Sequence, residues 1–179
     1  MTALTRSPSN TNLLHPNKFQ ISCSRLPNLQ YFTQSVLIPG ISISETIRPT
    51  PFVDLFPPGE KAIFDLFTVT FLVDEDMETW TEIYDWIWGM AFPENFEDYA
   101  NLSALAQSKT GVFKERFPQY SDMFVTLLSS SNNPILKINM VDCYPTSLSG
   151  FPTSTTDTPD NPITADVTFR FSYFTLERL

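Results

Sequence analysis

The stretch from Ile63 to Met90 changes its hydrophobic period partway along, which limits the chain to folds in which a sheet strand feeds directly into a packed helix. Phe64, Leu66, Thr68, Thr70 and Leu72 alternate with Phe67, Val69, Phe71 and Val73, the two-residue period of a strand expected over Ile63 to Val73. Both faces are largely apolar, as in an interior strand covered on at least one side. Asp74, Glu75 and Asp76 follow, and carboxylates there suit the unpaired N–H groups and positive dipole end of an incoming helix. Met77, Trp80, Ile83, Tyr84 and Ile87 then recur at three- and four-residue spacing, one stripe of an amphipathic helix. Trp86 and Trp88 lie off that stripe, so more than one flank of the helix can be buried, and Gly89 is the expected stop.

The remaining apolar patterns have mostly the two-residue period. Phe19, Ile21 and Cys23 mark a strand over Asn17 to Arg25, and after a turn at Leu26-Pro27-Asn28 a second is expected from Tyr31 to Ile38. Met123, Val125 and Leu127 mark another over Asp122 to Ser129, with Ile135 to Cys143 as its hairpin partner. Tyr144 to Pro162 has the Pro, Thr, Ser and Asp content of an exposed loop. Ala165, Val167, Phe169, Phe171 and Tyr173 then share one face of a long final strand running from about Ile163 to Thr175. With 15 Pro and 16 Phe against 5 Gly in 179 residues, the expectation is a mainly β (α+β) protein. Residues 1–16 read as a flexible polar arm and 17–179 as a single domain. The region from Ala91 to Pro118 holds short apolar periods and one modestly basic neighbourhood, Lys109, Lys114 and Arg116.

Between the second and third strands lies an unusual segment. Ile41, Ile43, Ile47, Phe52, Val53, Leu55 and Phe56 are spread through a run interrupted by Pro49, Pro51, Pro57 and Pro58 and closed by Gly59. Two readings stand: a protruding arm, or a β-hairpin folded back on its own domain.

Several function classes are poorly served by these residues. The formal net charge is −9, and no Lys/Arg cluster offers the counterion release on which nucleic-acid binding depends. The lone His15 in the polar arm cannot anchor a triad or a His-rich metal site. The carboxylates from Asp74 to Asp85 are accounted for by helix initiation and lack the spacing of a calcium loop. The five glycines are scattered, without a phosphate-binding loop. No cofactor, metal or catalytic residue is therefore expected. Cys23 and Cys143 read as small buried thiols, although spacing alone leaves a bridge open. No stretch approaches the roughly 18 apolar residues of a membrane span, so no anchor and a reducing cytoplasm are expected.

Taken in order, Pro16-Asn17-Lys18-Phe19, Ile38-Pro39-Gly40-Ile41, Phe67-Thr68-Val69-Thr70-Phe71 with Val73-Asp74-Glu75-Asp76, Ile83-Tyr84-Asp85-Trp86, Tyr144-Pro145-Thr146 and the strand ending in Tyr173 give the chain its family likeness. It resembles the tail tube proteins of contractile-tailed, myovirus-type bacteriophages, tube-initiator relatives included. Related folds also occur in contractile toxin particles and secretion-system tubes. The resemblance implies a β-sandwich or partial barrel with one flanking helix and a long arm, assembled as stacked, hexameric rings whose lumen conducts DNA without binding it specifically. It makes Pro39, Gly40, Ile41, Ile43, Ile47, Phe52, Val53, Leu55 and Phe56 an inter-ring arm. Trp80, Ile83, Tyr84, Trp86 and Ile87 become an outer brace, and Asp166, Thr168 and Ser172 lumen candidates, with Arg170 as a departure. The implied partners are further copies of the chain, the tail sheath, and baseplate or neck proteins, in a virion assembled in the host cytoplasm. A tube subunit is the main expectation. The alternatives are an initiator or terminator ring with the same fold, or a non-catalytic β-sandwich binding module.

Overall fold

The computed structural model describes residues 11–91, 119–156 and 162–179. The elements in chain order are β1 (Phe19–Cys23), α1 (Leu29–Phe32), β2 (Thr33–Leu37), β3 (Ile41–Glu45), β4 (Pro58–Phe64), β5 (Phe67–Leu72), α2 (Glu78–Ala91), β6 (Ser121–Leu128), β7 (Pro134–Leu148), β8 (Thr164–Arg170) and β9 (Tyr173–Arg178). The protein is mainly β, as the alternating patterns require. Seven strands form one antiparallel sheet in the order β1-β6-β7-β8-β5-β2, with β9 also paired to β7, while β3 and β4 form a separate two-stranded hairpin.

The sheet bends around β7. Its first half pairs with β6 on one edge and β9 on the other, from Leu136↔Arg178 to Val141↔Tyr173. Its second half pairs with β8, from Tyr144↔Arg170 to Leu148↔Val167. The register is common to both ladders from Leu136↔Arg178 to Pro145↔Phe169 and shifts only before Ser147↔Thr168, so β7 and the β8–β9 segment form one long ribbon that passes from one layer to the other. The bend is local and has a backbone signature. Asp142 has φ 55, and the β6–β7 register shifts between Ser121 and Met123. Asp122 Oδ1 accepts the Asp142 N–H at 3.2 Å, and the Ser172 N–H donates to the Val141 carbonyl at 3.0 Å. Such a bulge increases twist and turns a strand between layers.

Both layers feed one buried cluster. Ile21, Cys23, Met123, Val125, Ile138 and Met140 come from one half, and Phe67, Val69, Phe71, Ala165, Val167 and Phe169 from the other. Opposed strands bury matching positions, since Phe67↔Phe169, Val69↔Val167 and Phe71↔Ala165 are direct Cα partners. Ile83 and Trp86 of α2 close the cluster, and Leu26 and Leu29, three residues apart, tuck the α1 turn against it.

Five details differ from the expectations. The Ile63–Val73 strand is two strands, parted at Asp65-Leu66: the first belongs to the hairpin and the second to the main sheet. Tyr31 and Phe32 lie in a helical turn, because burying both Leu26 and Leu29 calls for helical rather than strand spacing. The expected loop from Tyr144 is strand as far as Leu148. Pro145 is tolerated because β6 pairing ends at Cys143, which leaves that edge of β7 without a donor to supply, and because a bulge follows between Pro145 and Ser147. The final strand breaks at Phe171-Ser172, so Tyr173 is exposed while Phe174 takes the inward position. Gly89 does not stop α2; it lies buried inside the helix, which runs to Ala91. Residues 92–118 and 157–161, including the basic neighbourhood at Lys109, Lys114 and Arg116, and residues 1–10 of the N-terminal arm lie outside the described residues.

Candidate assembly surfaces

The expected arm is a β-hairpin that stands off the main sheet, so each of the two readings was right in part. Ile41↔Phe64, Ser42↔Ile63 and Ile43↔Ala62 pair at its base, with a register shift before Glu45↔Pro58. The prolines do not end it there. Arg48 and Leu55 exchange N–H···O bonds of 2.8 and 3.0 Å, and the Val53 N–H donates to Thr50 Oγ1 at 3.2 Å to close the tip. Its apolar residues are not folded back onto the chain. Ile41, Ile43 and Ile47 are exposed along its length, as are Val53, Leu55 and Phe56 towards the tip, where Phe52 is 96% exposed.

Two features hold the hairpin to the body. The Asp65 N–H donates to the Gly40 carbonyl at 3.1 Å, and Pro39 is buried beside it. Phe64 packs with Phe171 and Phe174 at ring-centroid separations of 5.8 and 5.4 Å. The hairpin base is thereby seated on the β8–β9 break, a contact that periodicity alone did not reveal.

The helix presents two apolar flanks. Thr79, Ile83 and Trp86 face inward; Trp86 packs on Phe169, stacks under the Arg25 guanidinium at 4.6 Å, and donates Nε1–H to the Gln119 carbonyl at 3.1 Å. Trp80, Tyr84 and Trp88 form a second row with centroid separations of 5.4 Å at each step, and Phe151 meets Trp80 edge-on. Tyr84 in that row is 38% exposed, whereas Ile87 is half-buried against the core. The helix thus has a second apolar flank, as the placement of Trp86 and Trp88 off the main stripe allowed: Ile83 and Trp86 belong to the protein's own core rather than to an outer brace, Trp80 is half-buried against that core, and Tyr84 is the exposed member of the aromatic row. The helix start is capped from a distance. Asp74 Oδ2 and Oδ1 accept the N–H groups of Glu78 and Thr79 at 2.9 and 3.2 Å. Desolvation raises the Asp74 pKa, but these N–H bonds outweigh it and hold the carboxyl below its ordinary range.

Asp166 and Thr168 project from the exposed face of β8. Asp166 Oδ1 accepts from Thr70 Oγ1 at 2.7 Å, Thr68 is the partner of Thr168, and Thr146 Oγ1 donates to the Thr168 carbonyl at 3.0 Å. This face is rich in hydroxyls and carries few charges. Ser172 is not in that row; it sits at the β8–β9 break and donates to Asp142 Oδ2 at 3.3 Å. Arg170 is exposed.

A surface without a counterpart in the periodic patterns lies where, among the described residues, the curled sheet does not close. The two end strands, β1 and β2, line opposite sides of a groove of about 590 Å³, together with Leu14, Gln30 and Leu127. Among the described residues, neither strand is paired along its outer edge. A groove between sequence-distant strands depends on the curvature of the sheet, which local pattern does not record.

The two thiols are free and buried, on β1 and β7 with β6 between them. Burial pushes the Cys143 thiol up to about 12, assisted by the charges of Cys23, Asp122 and Asp142. Among the described residues, no group of His, Cys, Asp and Glu is placed to hold a metal ion.

Comparison with known proteins joins these surfaces to a family. The profile described as phage tail tube protein matches residues 16–177. The tail tube terminator protein of Enterobacteria phage T4 is 28% identical over 173 residues, covering 93% of this chain and 90% of that protein. In fold, the chain is similar to the tube-terminating cap of the anti-feeding prophage, with a TM-score of 0.65 over the whole of both chains at 13% identity. It is also similar to the sheath/tube terminator of the PVC extracellular contractile injection system, with a TM-score of 0.59 over 94% of this chain and 99% of that one, again at 13% identity.

Proposed function

The chain belongs to the phage tail tube protein family, and from that premise we propose that it forms the ring that terminates the tube rather than the rings repeated along it. The observation that carries this reading is the likeness to a tail tube terminator over nearly the full length of both proteins. It replaces the ordinary tube subunit as the main reading. The protein is a tail component, and residues 17–179 act as the assembling domain.

On this reading the subunits close into a hexameric ring, continuous with the tube below and in contact with sheath or neck proteins above. The hydroxyl-rich face around Thr68, Thr70, Asp166 and Thr168 lines the lumen, where sparse negative charge lets DNA phosphates pass without being held. The aromatic row of Trp80, Tyr84 and Trp88 braces the outside, and the Ile41–Phe64 hairpin reaches a neighbour. The edges of β1, β2 and β9 that are unpaired among the described residues supply places for neighbouring strands to add.

Cryo-electron microscopy of particles carrying a tagged chain tests this. The expected result is density for the tag at one end of the tail only. A tag repeated along the length would assign the chain to the ordinary tube subunit, the second reading, which the family description favours. A tag absent from assembled tails would remove both.

A further inference from the structure

We propose that the hairpin tip, residues 49–57, seats in the β1–β2 groove of a second copy of the chain. This goes beyond the proposed ring by naming the receiving surface, and it rests on that reading in one respect, that copies meet. The two surfaces fit in area, size and charge.

Of the eight large apolar side chains of the hairpin that are at least half exposed, four lie in the tip: Phe52, Val53, Leu55 and Phe56. At roughly 100 Å² each these four present on the order of 400 Å², about half of one partner's share of a stable interface, and Ile41, Ile43, Ile47 and Ile63 along the stem extend that surface. The groove, at about 590 Å³, has the size of a pocket for a few large side chains rather than for a folded domain. Phe19, Ile21, Val36 and Leu127 supply apolar wall, while Gln20, Gln30 and Gln34 can reach main-chain groups of an entering segment. Phe52 and Phe56 are the side chains that fill it.

Charge fixes the pairing. Among the described residues, Lys18 is the only charged one lining the groove, and Asp54 is the only charged residue in the tip. In a chain of net charge −9, two copies repel on average, so a contact that brings an acid to the groove's one cation is favoured over a contact between two acidic surfaces. The hairpin's own groove is not the receiver, because β3 and β4 make their main contacts with each other and not with β1 or β2.

The test is a cysteine trap. Both native thiols are buried, so introduced ones report alone. Protein carrying Phe52→Cys is mixed with protein carrying Gln34→Cys and oxidised mildly, with Thr146→Cys, on the far face of the sheet, replacing Gln34→Cys as the control. The expected result is an inter-chain cross-link at least about tenfold above the control. It should be lost with Asp54→Lys and restored when Lys18→Asp is added to the groove partner. Phe52→Ala, at a fully exposed site, should keep the monomer's melting temperature while weakening self-association about tenfold or more.

Rings visible by electron microscopy without the cross-link would overturn the docking and leave the ring reading intact. A cross-link formed within one doubly substituted chain at high dilution would overturn the second copy as occupant. Protein that remains monomeric at high concentration and in the presence of tail tubes would overturn both.

Discussion

Trp86 is the strongest test of how the helix is joined to the sheet. It is 1% exposed and makes three kinds of contact at once: packing on Phe169, a cation–π contact with Arg25 at 4.6 Å, and a hydrogen bond to the Gln119 carbonyl at 3.1 Å. Truncation to Ala leaves a cavity worth about 3–5 kcal/mol. Orphaning the carbonyl adds about 1 kcal/mol or more, and the lost cation–π contact about 0.5 kcal/mol. Some overlap among these is certain, so Trp86→Ala should cost about 4–6 kcal/mol. For a chain of this length each kcal/mol lowers the melting temperature by about 2–4 °C, so a fall of about 10 °C or more is expected in a circular-dichroism melt. Trp86→Phe keeps part of the packing and should fall between. Trp88→Ala is the internal control: its ring stacks on Tyr84 in the outward row, and losing one such pair costs about 0.5–1.5 kcal/mol. If Trp88→Ala destabilises the monomer as much as Trp86→Ala does, the division of the helix into a core flank and an outward flank is wrong.

Gly59→Ala should open the hairpin, because a Cβ there collides with the Ser44 carbonyl oxygen and Oγ. Faster hydrogen exchange over residues 41–64 with little change in melting temperature is expected, whereas Gly40→Ala meets only the movable Asp65 carboxylate, at 2.6 Å, and should be near neutral. Cys143 makes the protein alkali-sensitive. Between its ordinary 9.0 and about 12 the unfolded chain releases the thiol proton and the folded chain keeps it, so this contribution is intact below pH 9 and is lost as pH rises. At about 1.4 kcal/mol per pH unit, urea unfolding at about pH 10.5 should show a loss near 2 kcal/mol relative to pH 8 that Cys143→Ala lacks; equal slopes in the two proteins would refute it. Asp166→Lys, which also breaks the bond to Thr70 Oγ1, should make assembled rings retain DNA at low salt in a gel-shift assay, where the unaltered protein retains none.

The alternating patterns placed most strands within a few residues, because burial of one face writes itself into every second residue. Phe67, Val69 and Phe71 are fully buried, as are Ala165, Val167 and Phe169. Alternation gives the phase of a strand and not the point where it leaves one layer for another. For that reason the breaks at Asp65-Leu66 and Phe171-Ser172 were missed, as was the passage of β7 through Pro145. The exposed hydrophobics of the hairpin were legible as a stretch without a place in the core. Their pairing was not, since prolines at its ends look like interruptions until Pro58 is seen to open a strand. Trp86 lies off the main stripe, as its spacing indicated, but its place in an outer brace was wrong: the helix has two apolar rows, and spacing does not say which of them meets the core. The β1–β2 groove had no local signature at all.

The long ribbon of β7 with β8 and β9 also bears on force. Its rungs keep one antiparallel register from Leu136↔Arg178 to Pro145↔Phe169, across the bend that links the layers. A pull along the ribbon that drags the layers past each other strains many rungs together instead of opening them one at a time from an end. A lap joint takes load in this way, and the Asp142 bulge is where such a joint would first give.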